Sequence, residues 1–183
     1  MLGTGERSMS ASGQPPKDPI DRLTNAYERM LGRVHRMLDT AEHALFPDPL
    51  RTALNRARER SVELGELTRE EADRIAGYLQ RDVEDAAHFL LDTGEDLRTW
   101  LRFDIEQIEE RVLHAFISVA DKTKVELADL ADRARSPMRY QQGEVTGPGT
   151  LVCVDCGAQL SFTEPREIPA CPKCGGRSFQ RSR

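Results

Sequence analysis

Apolar side chains recur at seven-residue intervals from Ile20 onward: Ile20, Tyr27, Val34 and Ala41 form one series, and Leu31, Leu38 and Leu45 a second, offset by three or four positions. Leu23, Met30 and Met37 widen the stripe on one side. Two interleaved series at this spacing put their side chains on one side of a helix, so the pattern predicts a helix packed lengthwise against others. Asp18-Pro19 supplies its start, with the aspartate as N-cap and the proline at the first helical position, where its missing N–H costs nothing. The role of such a stripe is structural.

Phe46-Pro47-Asp48-Pro49 ends that segment and opens a second helix with the same Asp-Pro device. Leu50, Leu54, Ala57 and Val62 give this helix a thinner apolar face, and Gly65 suits a left-handed cap at its end. Thr68 and Glu71 stand at capping-box spacing, each side chain within reach of the other residue's backbone N–H. The helix they open carries Ala72, Ile75, Leu79, Val83, Ala86 and Leu90 on one face. Thr93-Gly94-Glu95-Asp96 interrupts the pattern as either a bend or a turn. Leu97, Leu101, Ile105, Ile108, Val112, Phe116 and Val119 then resume a stripe, which Leu127, Leu130 and Ala134 extend until Ser136-Pro137 closes it. The fold class expected is mainly α: an elongated antiparallel helical hairpin or coiled-coil-like bundle over residues 18–136, followed by a small C-terminal β ribbon. The same seam permits pairing within the chain or self-association between chains.

Beyond Pro137 the helical period is lost. Residues 137–149 hold three glycines and two prolines and read as a linker, with a short strand allowed around Gly143-Glu144-Val145. From residue 150 the chain breaks into short extended pieces, Leu151-Val152, Leu160-Ser161-Phe162, Glu167-Ile168-Pro169 and Ser178-Phe179-Gln180, with a cysteine pair at the turns between them. All four cysteines lie here, as Cys153-x2-Cys156, fourteen intervening residues, and Cys171-x2-Cys174. Two residues between thiols let one tight turn aim both sulfurs at a single ion, and two such turns complete a tetrahedral four-sulfur site. Gly157 and Gly175 follow the second cysteine of each pair, where the backbone of such a turn calls for positive φ; Pro172 presets the second turn. The ligands are therefore Cys153, Cys156, Cys171 and Cys174, the ion one Zn2+, and the site structural, because four thiolates leave no coordination position for water or substrate. A segment of this size, with Phe162, Ile168 and Phe179 as its main apolar side chains, needs the metal for much of its folding free energy.

Composition narrows the functional classes. Charged residues make up 31% and aromatics 5% of the 183 residues, which suits solvated helical rods better than a sandwich or barrel. Residues 18–136 hold 18 Lys/Arg against 26 Asp/Glu, a poor balance for phosphate binding, so nucleic acid is not the expected partner. Residues 150–183 hold five Lys/Arg against three Asp/Glu. Arg166, Lys173, Arg177, Arg181 and Arg183 read there as compensation for four thiolates around a divalent ion. No apolar stretch is long enough to span a bilayer. Residues 1–17 are polar and Pro/Gly-bearing, and are expected to be a disordered lead-in without the apolar core of a signal peptide. Cysteines confined to two C-x-x-C pairs fit metal ligation in a reducing cytoplasm rather than disulfides.

Several stretches taken together carry a family resemblance: Glu66-Leu67-Thr68-Arg69-Glu70-Glu71, Asp121-Lys122-Thr123, Gly143-Glu144-Val145 leading into Leu151-Val152-Cys153, and Cys171-Pro172-Lys173-Cys174-Gly175 followed by Phe179-Gln180-Arg181. The combination resembles the YbeL-like family of bacterial zinc-ribbon-containing proteins, from about residue 20 to the end. That resemblance implies zinc binding and a cytoplasmic bacterial setting, and assigns no activity.

Two other architectures share the outline. A rubrerythrin-like redox protein joins a di-metal helical bundle to a four-cysteine iron ribbon, but needs Glu-x-x-His on two helices. Here Asp85-x-x-His88 is the only acid-x-x-His match, and the Asp39/His43 and Glu110/His114 pairs are spaced i,i+4. A transcription regulator resembling the DksA group joins a helical hairpin to a four-cysteine zinc module and would contact RNA polymerase through acids at the hairpin tip. Asp92, Glu95 and Asp96 flank one turn of this chain, and Glu63, Glu66 and Glu70 another. No Ser/His/Asp or Cys/His catalytic set and no phosphate loop is legible; His35, His43, His88 and His114 fall on helical segments. The expectation is a non-enzyme: a zinc-binding adaptor that contacts another protein.

Overall fold

A computed structural model describes residues 19–40, 48–94, 109–129 and 138–182. The 1–17 lead-in lies outside them, as do Ala41, His43, Leu45, residues 95–108, Leu130, Ala134, Ser136-Pro137 and Arg183. Four described helices come first: α1 (Pro19–Leu38), α2 (Pro49–Glu63), α3 (Arg69–Thr93) and α4 (Glu110–Asp129). Six short strands follow: β1 (Tyr140–Gln141), β2 (Val145–Thr146), β3 (Gly149–Cys153), β4 (Gln159–Phe162), β5 (Arg166–Glu167) and β6 (Ser178–Arg181). The chain is mainly helical with a small C-terminal antiparallel sheet region, as the hydrophobic pattern predicts.

The helix boundaries follow local chemistry. Asp48 caps α2 by accepting from the Arg51 N–H, with Pro49 at the first helical position. The far end closes as a Schellman turn: Gly65 at φ +66° donates to Val62 and Glu66 donates to Ser61. Two residues later the capping box at Thr68 and Glu71 forms in both directions and starts α3. Gly94, in the left-handed conformation, ends α3.

The four helices enclose one core. Tyr27, Met30, Leu31 and Val34 of α1 are buried, so the seam finds its partners in α2, α3 and α4 of the same chain. Every α3 residue of the predicted stripe, from Ala72 to Leu90, is buried. On α2 the small residues Ala53, Ala57 and Ser61 are buried and Val62 is only partly so, which lets the backbones approach closely. Phe116 and Val119 complete the core from α4. Each such large apolar side chain contributes roughly 1.5–3 kcal/mol by leaving water.

Four strands form one sheet in the order β1-β6-β3-β4, and β2 pairs with β5 as a separate two-stranded piece; all pairings are antiparallel. Tyr140, Leu151, Phe162, Ile168 and Phe179 form a second core beneath the cysteines. Within the 137–149 segment read as a linker, β2 begins at Val145, where the sequence allows a short strand, whereas β1 is an additional strand; Tyr140 and Val145 are buried, and Val145 packs into the helical core. Pairings at such sequence distance leave no local period, so the glycines and prolines dominated the sequence pattern.

Candidate metal centre

Cys153 ends β3 and Cys156 lies in the turn after it; Cys171 and Cys174 sit in the turn before β6. Each pair forms a knuckle closed by a glycine: Gly157 N–H donates to the Cys153 carbonyl at 2.9 Å and Gly175 N–H to the Cys171 carbonyl at 2.8 Å. Both glycines take positive φ, 73° and 75°, a region costly for any residue with a Cβ. Gly176 has a different reason to lack one, since a Cβ there would sit 3.0 Å from the Cys153 sulfur and 3.1 Å from that of Cys174.

The four Sγ atoms all lie within 4.8 Å of one another. Cys153 and Cys174 approach to 3.7 Å, and Cys156 and Cys171 to 3.6 Å. A disulfide would hold its sulfurs about 2.05 Å apart, whereas a tetrahedron of thiolates at about 2.3 Å from a central ion has edges of about 3.8 Å. The donor set therefore fits a zinc ion by chemistry and by spacing. Burial raises Cys171, but the N–H groups of Cys174 and Lys173 outweigh it and bring it down to about 7. The Gly176 N–H favours the Cys174 thiolate, yet crowding by Cys156, burial and the remaining sulfurs push it up to about 12.

Beside this centre lies a second cluster that periodicity did not single out. Asp82 is fully buried on α3. Its carboxylate accepts from the Tyr27 hydroxyl at 2.7 Å and from the Gly147 N–H at 2.5 Å, with Arg81 at 3.3 Å and Arg181 at 3.8 Å. Arg181 also donates to the Tyr140 hydroxyl at 3.2 Å and to Thr146 Oγ1 at 2.9 Å. The Tyr140 hydroxyl in turn donates to Asp85 at 2.9 Å. Arg81 pairs with Glu144, donates to the Val145 carbonyl at 3.1 Å and places its guanidinium 4.0 Å from the Tyr140 ring centroid. Burial holds both Tyr27 and Tyr140 well above the ordinary tyrosine range, so they remain protonated donors. Burial works against the charge on Arg181, but Tyr140, Asp82 and Asp85 more than restore it. Gly147 is needed at this spot because a Cβ would stand 2.7 Å from the Tyr27 oxygen.

Arg181 faces the α3 carboxylates instead of compensating the sulfur site, and Arg166 pairs with Glu164; Lys173 and Arg177 are exposed. Asp85, the acid of the Asp85-x-x-His88 match, takes the Tyr140 hydroxyl, and His88 is half-buried. Asp39 pairs with Lys122 and lies 3.3 Å from His35, whose ring meets that of His114 edge-on at 5.3 Å. Of the turn acids, Glu66 is held by Arg33, Glu63 by Arg60 and Glu70 by Arg74. Among the described residues the four cysteines are the only group of three or more His, Cys, Asp or Glu arranged to hold a metal. No described helix is long and apolar enough to cross a membrane.

A four-cysteine site on two knuckles of a small antiparallel sheet, carried behind a helical body, defines a zinc-ribbon protein. The family model described as "Zinc-ribbon containing domain" matches residues 36–183, and the chain belongs to this family. It is similar to "Uncharacterized protein YbeL" of Escherichia coli strain K12, 33% identical over 167 residues that cover 88% of this chain and 97% of the relative. The protein of the same name from Escherichia coli O157:H7 matches with the same identity and coverage. No solved structure matches.

Proposed function

We propose that this chain is a non-enzymatic adaptor of the bacterial cytoplasm, in which Cys153, Cys156, Cys171 and Cys174 hold one structural zinc ion and a surface of the ribbon or of the helices contacts another protein. The observation that carries this reading is the convergence of four thiols, and no other ligand type, within one coordination shell. Four thiolates fill the tetrahedron of a zinc ion, which makes the ion a fold-holding element with no position left for a substrate. Bound there, zinc supplies cohesion to a small core that is otherwise thin.

The rubrerythrin-like alternative asks for helical carboxylates and histidines around two more metals, but Asp85 already accepts from Tyr140. The RNA polymerase alternative asks for uncommitted acids at a turn; Glu66 is held by Arg33, whereas Glu63 and Glu70 stay exposed beside Arg60 and Arg74, and Glu95 and Asp96 lie outside the described residues. The engagement of Asp85 favours the adaptor over the redox reading. The test is metal analysis and absorption of protein purified without added metal, beside a Cys171→Ser variant. One equivalent of zinc, no visible colour and an unfolded ribbon in the variant are expected. Iron above one equivalent per chain, or a robust hydrolase or oxidoreductase activity lost on changing a helical histidine or carboxylate, would overturn the reading.

A further inference from the structure

The strand that lies against the first metal ligand also carries the arginine that reaches the helical body. In the sheet register Cys153 stands opposite Phe179, and two residues on Leu151 stands opposite Arg181. Tyr140 pairs with Phe179 from the other side of the same strand. Phe179 turns into the ribbon core while Arg181, on the same face of β6, turns to α3 and meets Asp82 and Asp85. The ribbon's own fold thus decides whether Arg181, Tyr140 and the Gly147 N–H are in place.

Seen from the helices, Asp82 is a carboxylate with none of its side chain exposed. Two of its four contacts, Gly147 and Arg181, come from beyond residue 137, and a third, Arg81, is itself held by Glu144 and Val145. Removing the ribbon would leave a buried charge short of donors, an arrangement that proteins do not sustain. The contacts that close the α1–α3 face around Asp82 thus include two groups of the ribbon, Gly147 and Arg181.

We propose that Asp82 and Arg181 couple occupancy of the four-cysteine site to closure of the helical body: a metal folds the ribbon, the folded ribbon docks on α1 and α3 through these two residues, and loss of the metal releases it and opens that face. Asp82 and Arg181 are positioning residues, since neither touches a cysteine. Linkage makes the coupling reciprocal, so whatever factor the metal adds to docking, the clasp adds to metal affinity. The inference rests on metal binding by the cysteines and not on the adaptor role. A chain without metal would fail the metal analysis above, before any coupling is measured.

The test uses the full chain. Zinc affinity is measured by competition with a chromophoric chelator for the wild type, Arg181→Gln, Asp82→Asn and a control at the exposed Arg139, Arg139→Gln. Hydrogen exchange along α1 and α3 is followed with zinc and after chelation. Expected are affinities weakened roughly tenfold or more in the two clasp variants, no change in the control, and faster exchange around Tyr27 and Asp82 in the chelated wild type. If the helical circular dichroism of both clasp variants is lost, Tyr140→Phe takes their place; it removes one hydroxyl donor to Asp85, keeps the ring, and should weaken zinc by about threefold. Unchanged affinity in the folded clasp variants, or α1 and α3 exchange that ignores chelation, would overturn the proposal.

Discussion

At the scale of single residues, the contact between Arg33 and Glu66 shows how a charge pair ties two elements together. Arg33 donates to both carboxylate oxygens, at 2.8 and 2.7 Å, and its side chain is only 13% exposed. This hydrogen bonding outweighs burial and holds Glu66 below its usual 4.5. A depressed native value means that the stabilisation is whole above 4.5 and drains away as pH falls through the lower native value. Arg33→Gln should therefore cost about 1 kcal/mol at neutral pH. Ser61 still donates to the Ala57 carbonyl in that variant, so no buried hydroxyl is stranded. Urea unfolding of both proteins across the acid range checks it: the gap should narrow as pH drops below 4.5, and a gap that is constant with pH would rule out the ion pair as its source. The Asp82 cluster obeys the same physics but was not read from the sequence. The signal was present, because Asp82 lies between Leu79 and Val83 on the buried stripe of α3, and Arg181 shares a strand face with Phe179. A charge at an apolar-phase position marks a buried partner without naming it, and Asp82 and Arg181 stand 99 positions apart in the chain.

At the scale of elements, what was legible had local causes. The Asp48-Pro49 start, the Gly65 stop and the Thr68/Glu71 box are each encoded within four residues, and each is found where its chemistry put it. The two knuckles are equally local, since each cysteine pair and the glycine that closes it lie within one turn. Phe162, Ile168 and Phe179 are buried beneath them as expected. β1 and β2 were less legible, because two-residue strands have no period and are defined by partners at Phe179 and Glu167. The capping box offers a direct check. Thr68→Ala removes the acceptor for the Glu71 N–H, a bond of 3.2 Å at the head of a 25-residue helix. The expected loss is about 1 kcal/mol with the helical content of the folded state unchanged. Calorimetry and circular dichroism on one sample separate these, and a loss of folded-state helicity would show that the cap decides whether α3 forms at all.

At the scale of the whole molecule, the heptad seam raises the question of what its apolar side chains face. Tyr27, Met30, Leu31 and Val34 are 1% exposed or less, all within a core shared by the four described helices of one chain. A second copy could use that stripe only if α1 left α2, α3 and α4, exposing side chains that each contribute roughly 1.5–3 kcal/mol where they are. It would also part the Tyr27 hydroxyl from Asp82. Pairing between chains through this stripe therefore competes with the fold itself. The zinc-loaded protein should sediment as one chain of 20.6 kDa, with no dependence on concentration across the micromolar range. Met30→Glu separates the two uses of the seam. If the stripe is internal, this variant loses its cooperative thermal transition, because a carboxylate enters a core position that is 0% exposed. If the stripe instead joins two chains, the wild type sediments at twice the single-chain mass and Met30→Glu gives a folded monomer. The first outcome leaves the outer surfaces of ribbon and helices as the faces available to a partner; the second would turn the seam itself into the interface.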